Sequence, residues 1–160
     1  MGGTRTHKPL YTAEQRARRD ASRWTLVQGI LAPLQLVICL ISAALVIRYL
    51  MTGDGYTAAT ISVVVKTAAL YTIMVTGAIW EKEVFGQYLF AESFFWEDVV
   101  SFGVIALHTI YIVALFAGSM GPTSLMILAL VAYIAYFINA GQFLWKLRMA
   151  RMGGTLEVPA

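Results

Sequence analysis

Cysteine occurs once in 160 residues, at Cys39, which excludes a disulfide framework and any cysteine-cluster metal or iron–sulfur site within the chain. Charge is nearly as scarce. Asp, Glu, Lys and Arg make up 13% of the residues, against about 25% in an average soluble domain. No phosphate loop, GxGxxG, HExxH, GxSxG or CxxC is present, so nucleotide, nicotinamide, zinc-protease and serine-hydrolase readings find no support. What the chain has instead is apolar bulk, 59% of residues with a mean hydropathy of +0.69. That composition excludes disorder, collagen-like repeats and an ordinary soluble α/β enzyme, and it points to one membrane domain over residues 1–160.

Four stretches are apolar enough to cross a bilayer, at about 24–47, 57–79, 99–117 and 123–145. Backbone amides inside lipid must be paired internally, so all four are expected as helices and the fold class as an all-α integral membrane protein. The first stretch is too long for a cleaved signal's h-region, follows a polar head of residues 1–23, and precedes no A-x-A-like site. Arg5, Lys8, Arg16, Arg18, Arg19 and Arg23 stand before it, and Lys146, Arg148 and Arg151 follow the fourth stretch. The opposite turns hold only Arg48 and Asp54. The positive-inside rule then places both termini, including the tail 146–160, in the cytoplasm. Trp24, Trp80, Trp96 and Trp145 fall at the same ends of the four spans, as an interfacial aromatic belt would. In the head, Thr12 and Gln15 form a capping-box pattern for a short amphipathic helix. Its arginines suit anionic lipid headgroups, and no nucleic-acid partner is indicated. The tail is expected to fray from Gly153.

The connection between the second and third spans, residues 80–98, is unusual. It holds five of the nine acidic residues (Glu81, Glu83, Glu92, Glu97 and Asp98) and seven of the twenty aromatics. Carboxylates at a cytoplasmic membrane face meet a negative surface potential. Packed among rings such as Trp80 and Trp96 they would be partly buried, with pKa values raised into the range of useful general acids. A surface helix with a solvated acidic face is the plainer reading, and both stand at this point.

Within the spans, Gln28, Gln35, Thr72, Thr76, Ser101, His108, Asn139 and Gln142 lie mostly in the cytoplasmic half. The far half looks nearly featureless over 41–46, 110–117 and 125–132. That pattern suits a cavity open to the cytoplasm and disfavours an ion channel. Glu97 and His108 are eleven residues apart and share a helix face, with His108 about 16 Å deeper. His108 is either an axial ligand to a metal-centred pigment, a proton donor, or a neutral histidine bonded to a neighbouring helix. Lys66 lies as deep, without a carboxylate at its level, so its expected partner is a carbonyl, a hydroxyl or an acidic ligand group. Asn139 and Gln142 read as interhelical glue or as donors into the cavity. Gly77, Gly103 and Gly141 read as helix-packing positions, and Cys39 as core filling.

Several strings together resemble one family. They are Leu10-Tyr11-Thr12, Arg18-Arg19-Asp20, the run 24–33 from Trp24 to Pro33, the run 73–86 from Ile73 to Gly86, and 94–101 from Phe94 to Ser101. His108-Thr109 and the run 139–148 from Asn139 to Arg148 complete the set. The chain resembles the 3-vinyl (bacterio)chlorophyllide hydratases over about residues 10–150. The charged positions show no departure, and 50–60 and 117–125 are the least similar stretches.

The resemblance implies a multi-pass protein of the inner, photosynthetic membrane of a phototrophic bacterium, acting in bacteriochlorophyll biosynthesis. The implied reaction adds water to the C3-vinyl group of chlorophyllide a, giving a 3-(1-hydroxyethyl) group, with no cofactor beyond the substrate's own magnesium. The implied partners are chlorophyllide a, water and the bilayer. Four helices are thin to enclose a macrocycle, which leaves a homo-oligomer or association with other pathway enzymes open.

Such chemistry needs an acid and a base in a dry, aromatic-lined site. Glu97 and Asp98, with Glu81 or Glu83, are the candidate catalytic groups. His108, Trp80, Trp96, Asn139, Gln142 and Lys66 are the candidate substrate contacts, His108 as a possible ligand to the substrate magnesium. The competing classes are a non-enzymatic tetrapyrrole-binding or assembly protein and a structural subunit of a photosynthetic complex.

Overall fold

A computed structural model of the chain describes residues 8–155, with side chains to Met152. Arg5 and residues 156–160 lie outside the described residues. The elements are α1 (Ala13–Ala21), α2 (Arg23–Thr52), α3 (Tyr56–Phe85), α4 (Phe95–Ala117) and α5 (Pro122–Thr155), with one 3-10 turn at Glu92–Phe94. α2 to α5 are each long and apolar enough to cross a membrane. They run several residues past the expected span limits, and α5 stays helical through Thr155, beyond the expected fraying point at Gly153.

α1 begins as its sequence pattern requires. Thr12 Oγ1 accepts the Gln15 amide at 3.1 Å, and Gln15 Oε1 accepts the Thr12 amide at 2.9 Å, a complete capping box. Ser22 then turns extended and caps α2. Trp80 Nε1 donates to Thr25 Oγ1 at 2.9 Å, and Thr25 Oγ1 donates to the Arg19 carbonyl at 2.6 Å, fastening the head to α3.

Short connections make α2–α3 and α4–α5 antiparallel hairpins. The hairpins meet chiefly through α2 and α5, while α3 and α4 touch little. Leu, Ile, Val and Phe side chains cover the outside, as at Leu26, Ile30, Ile61, Val113 and Ile134, and this apolar surface suits lipid. The inside holds Cys39, Val46, Val63, Tyr111, Met126 and Tyr133, so Cys39 does fill the core.

Two expectations fail. A Cβ on Gly103 or Gly141 would meet open space, so neither marks a helix contact; at Gly77 it would come within 3.4 Å of Gln28 Oε1. The far half is not featureless either. Ser42 Oγ lies 2.7 Å from Ser62 Oγ and 2.6 Å from Tyr133 Oη, a hydrogen-bonded chain joining α2, α3 and α5. Serine and tyrosine barely lower a hydropathy average, which is why an apolar window concealed them.

Candidate active site

The end of the bundle that carries the four tryptophans also carries residues 80–98, and three carboxyls there are drawn inside. Glu81, Glu97 and Asp98 keep 5%, 6% and 3% of their surface. Successive helical residues point about 100° apart, so Glu97 and Asp98 cannot share a partner. Glu97 turns to α5, where its Oε2 pairs with Lys146 Nζ at 2.8 Å. Lys146 also donates to the Ser93 carbonyl. Asn139 Nδ2 donates to the Glu97 carbonyl at 2.9 Å, and Ser101 Oγ donates to Asn139 Oδ1 at 2.9 Å. Gln142 Oε1 accepts from Asn139 at 3.3 Å. Asn139 therefore acts as glue that fixes the start of α4 against α5, and Gln142 supports it from the same helix.

Asp98 turns the other way, to α3, and forms a hydrogen-bonded carboxyl pair with Glu81. Both groups lie just past the expected apolar limits 57–79 and 99–117, at the polar ends of the longer α3 and α4 helices. Burial pushes Glu81 well above the usual carboxylate range, and the hydrogen bond and charge of Asp98 push it further. Burial raises Asp98 too, and the hydrogen bonds from Glu81 and the Phe90 amide only partly offset it. Both carboxyls are thus pushed above the usual carboxylate range, with burial the first cause for each. Asp98 Oδ2 accepts the Phe90 N–H at 2.8 Å, and Glu81 Oε2 faces the Ala91 N–H at 3.4 Å.

Phe90 reaches Asp98 by adopting φ +60°, the one positive φ at a non-glycine among the described residues. A bulky side chain there costs on the order of 1–3 kcal/mol, a strain that concentrates at functional sites. What the strain secures is visible. It aims the amide at Asp98 and lays the Phe90 ring flat on Phe102, with centroids 5.4 Å apart and planes 13° apart. Phe90, Phe95 and Phe102 are exposed there, 39%, 42% and 42%, near the buried pair.

The other expected site residues lie elsewhere. Glu83 is exposed on α3 and accepts from Ser22 Oγ, apart from the pair. Trp80 packs edge-on against Phe85 and Phe94 beneath the loop. Trp96 stands on the outside, edge-on to Phe95 at 5.4 Å. Lys66 is fully buried, its Nζ 3.3 Å from Gln35 Oε1 and 3.7 Å above the Tyr136 ring, so its partner is a carbonyl, as expected. His108 is 1% exposed and its Nδ1 bonds the Val104 carbonyl of its own helix at 2.8 Å. Its Nε2 is buried with no hydrogen-bond partner among the described residues. Neither Lys66 nor His108 reaches the surface that the pair and the exposed rings share. Phe90 and Phe102 were missed in the sequence; the aromatic density of 80–98 was the available signal for Phe90.

By fold and site this is a multi-pass helical membrane protein with a buried pair of carboxyls at one end, set against exposed aromatic rings. The family described as 2-vinyl bacteriochlorophyllide hydratase (BCHF) matches residues 11–149, and the chain belongs to that family. A relative named 2-vinyl bacteriochlorophyllide hydratase, from Cereibacter sphaeroides, is 70% identical over 147 residues, 91% of each chain. Another of the same name, from Rhodobacter capsulatus, is 65% identical over 153 residues, 95% of this chain and 88% of that one. No solved structure matches.

Proposed function

We propose that this chain is a hydro-lyase of bacteriochlorophyll biosynthesis that adds water to the vinyl group of a chlorophyllide, with chlorophyllide a as substrate. The vinyl position that the family name numbers 2 is C3 in current tetrapyrrole numbering. The observation that carries the reading is the pair of buried carboxyls, Glu81 and Asp98, both raised above the usual carboxylate range and set beside exposed rings, in a chain of this family.

The steps follow from what vinyl hydration demands. Glu81 delivers its proton to the terminal vinyl carbon. The cation left on the carbon next to the ring is stabilised by the macrocycle's π system. Water, oriented by ionised Asp98, adds to that carbon and gives its proton to Asp98. The product is the 1-hydroxyethyl group. The proton then returns from Asp98 to Glu81 along their hydrogen bond, and the pair is reset. No electron moves, so the only metal the reading needs is the substrate's own magnesium. Glu97 acts at one remove, by holding the start of α4 through Lys146.

Both termini are placed in the cytoplasm and the site at the cytoplasmic face of the inner photosynthetic membrane, supported by the Lys and Arg bias of the head and tail.

The test is turnover. Membranes with and without the protein are incubated with chlorophyllide a in H2(18)O, and pigments are separated and weighed. A product heavier by one labelled water, absent from the control, is expected. Unaltered chlorophyllide that co-purifies with the protein would instead make it a pigment-binding protein.

A further inference from the structure

The polar head packs on the segment that carries the carboxyl pair. Tyr11 is buried, and its ring stacks on Phe85 with centroids 5.7 Å apart and planes 15° apart. Phe85 meets Phe94 edge-on at 5.7 Å, and Phe94 stacks on Phe143 of α5 at the same separation. Tyr11, Val84 and Phe94 thus form a small apolar core, separate from that of the bundle. One residue earlier, the Leu10 carbonyl accepts Ser93 Oγ at 2.8 Å. Lys8 Nζ pairs with Glu92 at 2.9 Å, an exposed ion pair that contributes little. α1 has little to offer a bilayer. Its apolar side chains are Ala13, Ala17 and Ala21, whereas a helix that lies in the membrane interface buries Trp, Phe or Leu. The large apolar groups of the head, Leu10 and Tyr11, pack against Phe85 and Phe94 instead.

We propose that the head is a strap: Leu10 and Tyr11 hold the turn 90–94 in place, and so set the two amides that face Asp98 and Glu81. Tyr11 is then a positioning residue of the carboxyl pair. The inference rests on the hydratase reading for its kinetic readout, while the docking of the head is a matter of packing alone. Residues 86–91 belong to no helix, so side-chain contacts must fix them. The Phe90 and Ala91 amides serve the pair, and the Ala91 carbonyl accepts the Phe94 N–H at 2.9 Å. Phe94 is therefore bonded to the residue that faces Glu81 and packed in the small core that Tyr11 completes. The positive φ of Phe90 persists only where its surroundings impose it, and the strap is part of those surroundings. Each amide favours the ionised form of the carboxyl it faces. A turn that relaxes takes both amides away, so both carboxyls rise further and the pH–rate profile moves to higher pH. Glu97 and Lys146, the other charged groups close to Asp98, keep their own pairing when the strap is lost.

The test uses full-length protein in membranes. Hydrogen exchange of the backbone amides over 86–94 is read by mass, and turnover of chlorophyllide a is followed across pH. Tyr11→Ala is expected to speed exchange over 86–94 at least tenfold and to leave the spans of α2 to α5 within twofold. Its kcat is expected to fall at least tenfold with KM within threefold, and both limbs of the pH–rate profile to move to higher pH. Tyr11→Phe, which keeps the ring, is expected to match the parent. Ser93→Ala removes only the tie to Leu10 and is expected to give the same changes at smaller size, at least threefold in exchange; it carries the test if Tyr11→Ala does not fold. Arg16→Gln, at an exposed position of α1, is expected to match the parent throughout. Parent-like exchange over 86–94 in Tyr11→Ala and Ser93→Ala would overturn the strap. So would a rate that falls only in proportion to the folded protein, with an unmoved pH profile. An Arg16→Gln protein as impaired as Tyr11→Ala would overturn it too, by making the head a lipid anchor. Faster exchange in Tyr11→Ala, with no hydration by the parent, would support the strap while sinking the hydratase reading.

Discussion

Two regions of this bundle bury polar groups, and they do so in opposite ways. At the tryptophan-bearing end, Glu81 and Asp98 are drawn out of water as two neighbouring carboxyls, both pushed above the usual carboxylate range. Their neighbours are exposed rings and a backbone held at a costly φ. At mid-bundle, Lys66 rests on an amide carbonyl and a ring, and Ser42, Ser62 and Tyr133 satisfy one another. Both regions are almost inaccessible by area. The difference is one of access and imbalance. The first region sets two carboxyls of raised pKa next to an open surface, whereas the second joins helices. Burial of an ionisable group in a membrane protein raises a functional question, and these two regions give it different answers.

The largest effect that separates them is expected at the pair. Glu81→Gln and Asp98→Asn should each lower the hydration rate by about 10²–10⁴-fold, the usual contribution of a positioned acid or base. Full activity in both would remove the acid–base assignment. The parent's rate should fall at low pH, where Asp98 takes up a proton, and at high pH, where Glu81 loses its own. The same pair sets a stability trend. Glu81 has a higher pKa folded than unfolded, so the folded chain binds more protons, and stability falls as pH rises from the ordinary carboxylate range toward the raised value. Thermal melts in detergent should show that decline in the parent, and a flatter profile in Glu81→Gln.

A smaller effect is expected at the ion pair that supports the site. Lys146→Met strands the Glu97 carboxylate, which is 8% exposed, and should destabilise the fold by about 2 kcal/mol. That sits below the usual range for breaking a buried pair because Lys146 keeps 30% of its side chain in contact with the outside. Adding Glu97→Gln should recover part of the loss, a pattern that a melt series on the two singles and the double reads directly.

Smaller again is the backbone effect at Phe90. A glycine accepts a positive φ freely and an alanine does not, so Phe90→Gly should melt higher than Phe90→Ala by the equivalent of about 1 kcal/mol. Both should lose the same share of activity, since both lack the ring. Equal melting temperatures would mean that the loop relaxes away from Asp98.

How much of this the sequence discloses depends on the distance over which each feature is set. The four spans, the capping box at Thr12 and Gln15, and the crowding of acids and rings in 80–98 are local, and all are legible in one chain. The division of labour between Glu97 and Asp98 is not. Helix geometry says that the two neighbours must part, but only the packing of α4 between α3 and α5 decides which one meets Glu81 and which meets Lys146. Asn139 shows the same limit, because its role as glue depends on a carbonyl 42 residues away. Phe90 was hidden for another reason. Nothing in its type marks a left-handed φ, since most residues that adopt one are glycine or asparagine.

The smallest effect is expected at Lys66, and it bears most directly on the contrast between the regions. The ammonium has an amide and a ring for company and no counter-charge in hydrogen-bond range among the described residues. Lys66→Met keeps the length and apolar stem of the side chain while removing the group that is expensive to bury. Replacing a buried charge by a well-packed apolar group is often neutral or stabilising, so the melt should shift by no more than about 1–2 kcal/mol, upward if at all. Turnover should stay within twofold, because Lys66 contacts Gln35 and Tyr136 and does not reach the carboxyl pair. A folded Lys66→Met protein that binds chlorophyllide normally yet fails to hydrate it would join the two regions into one machine. The chain Lys66–Gln35 would then have to be read as a route for protons rather than as a fastener.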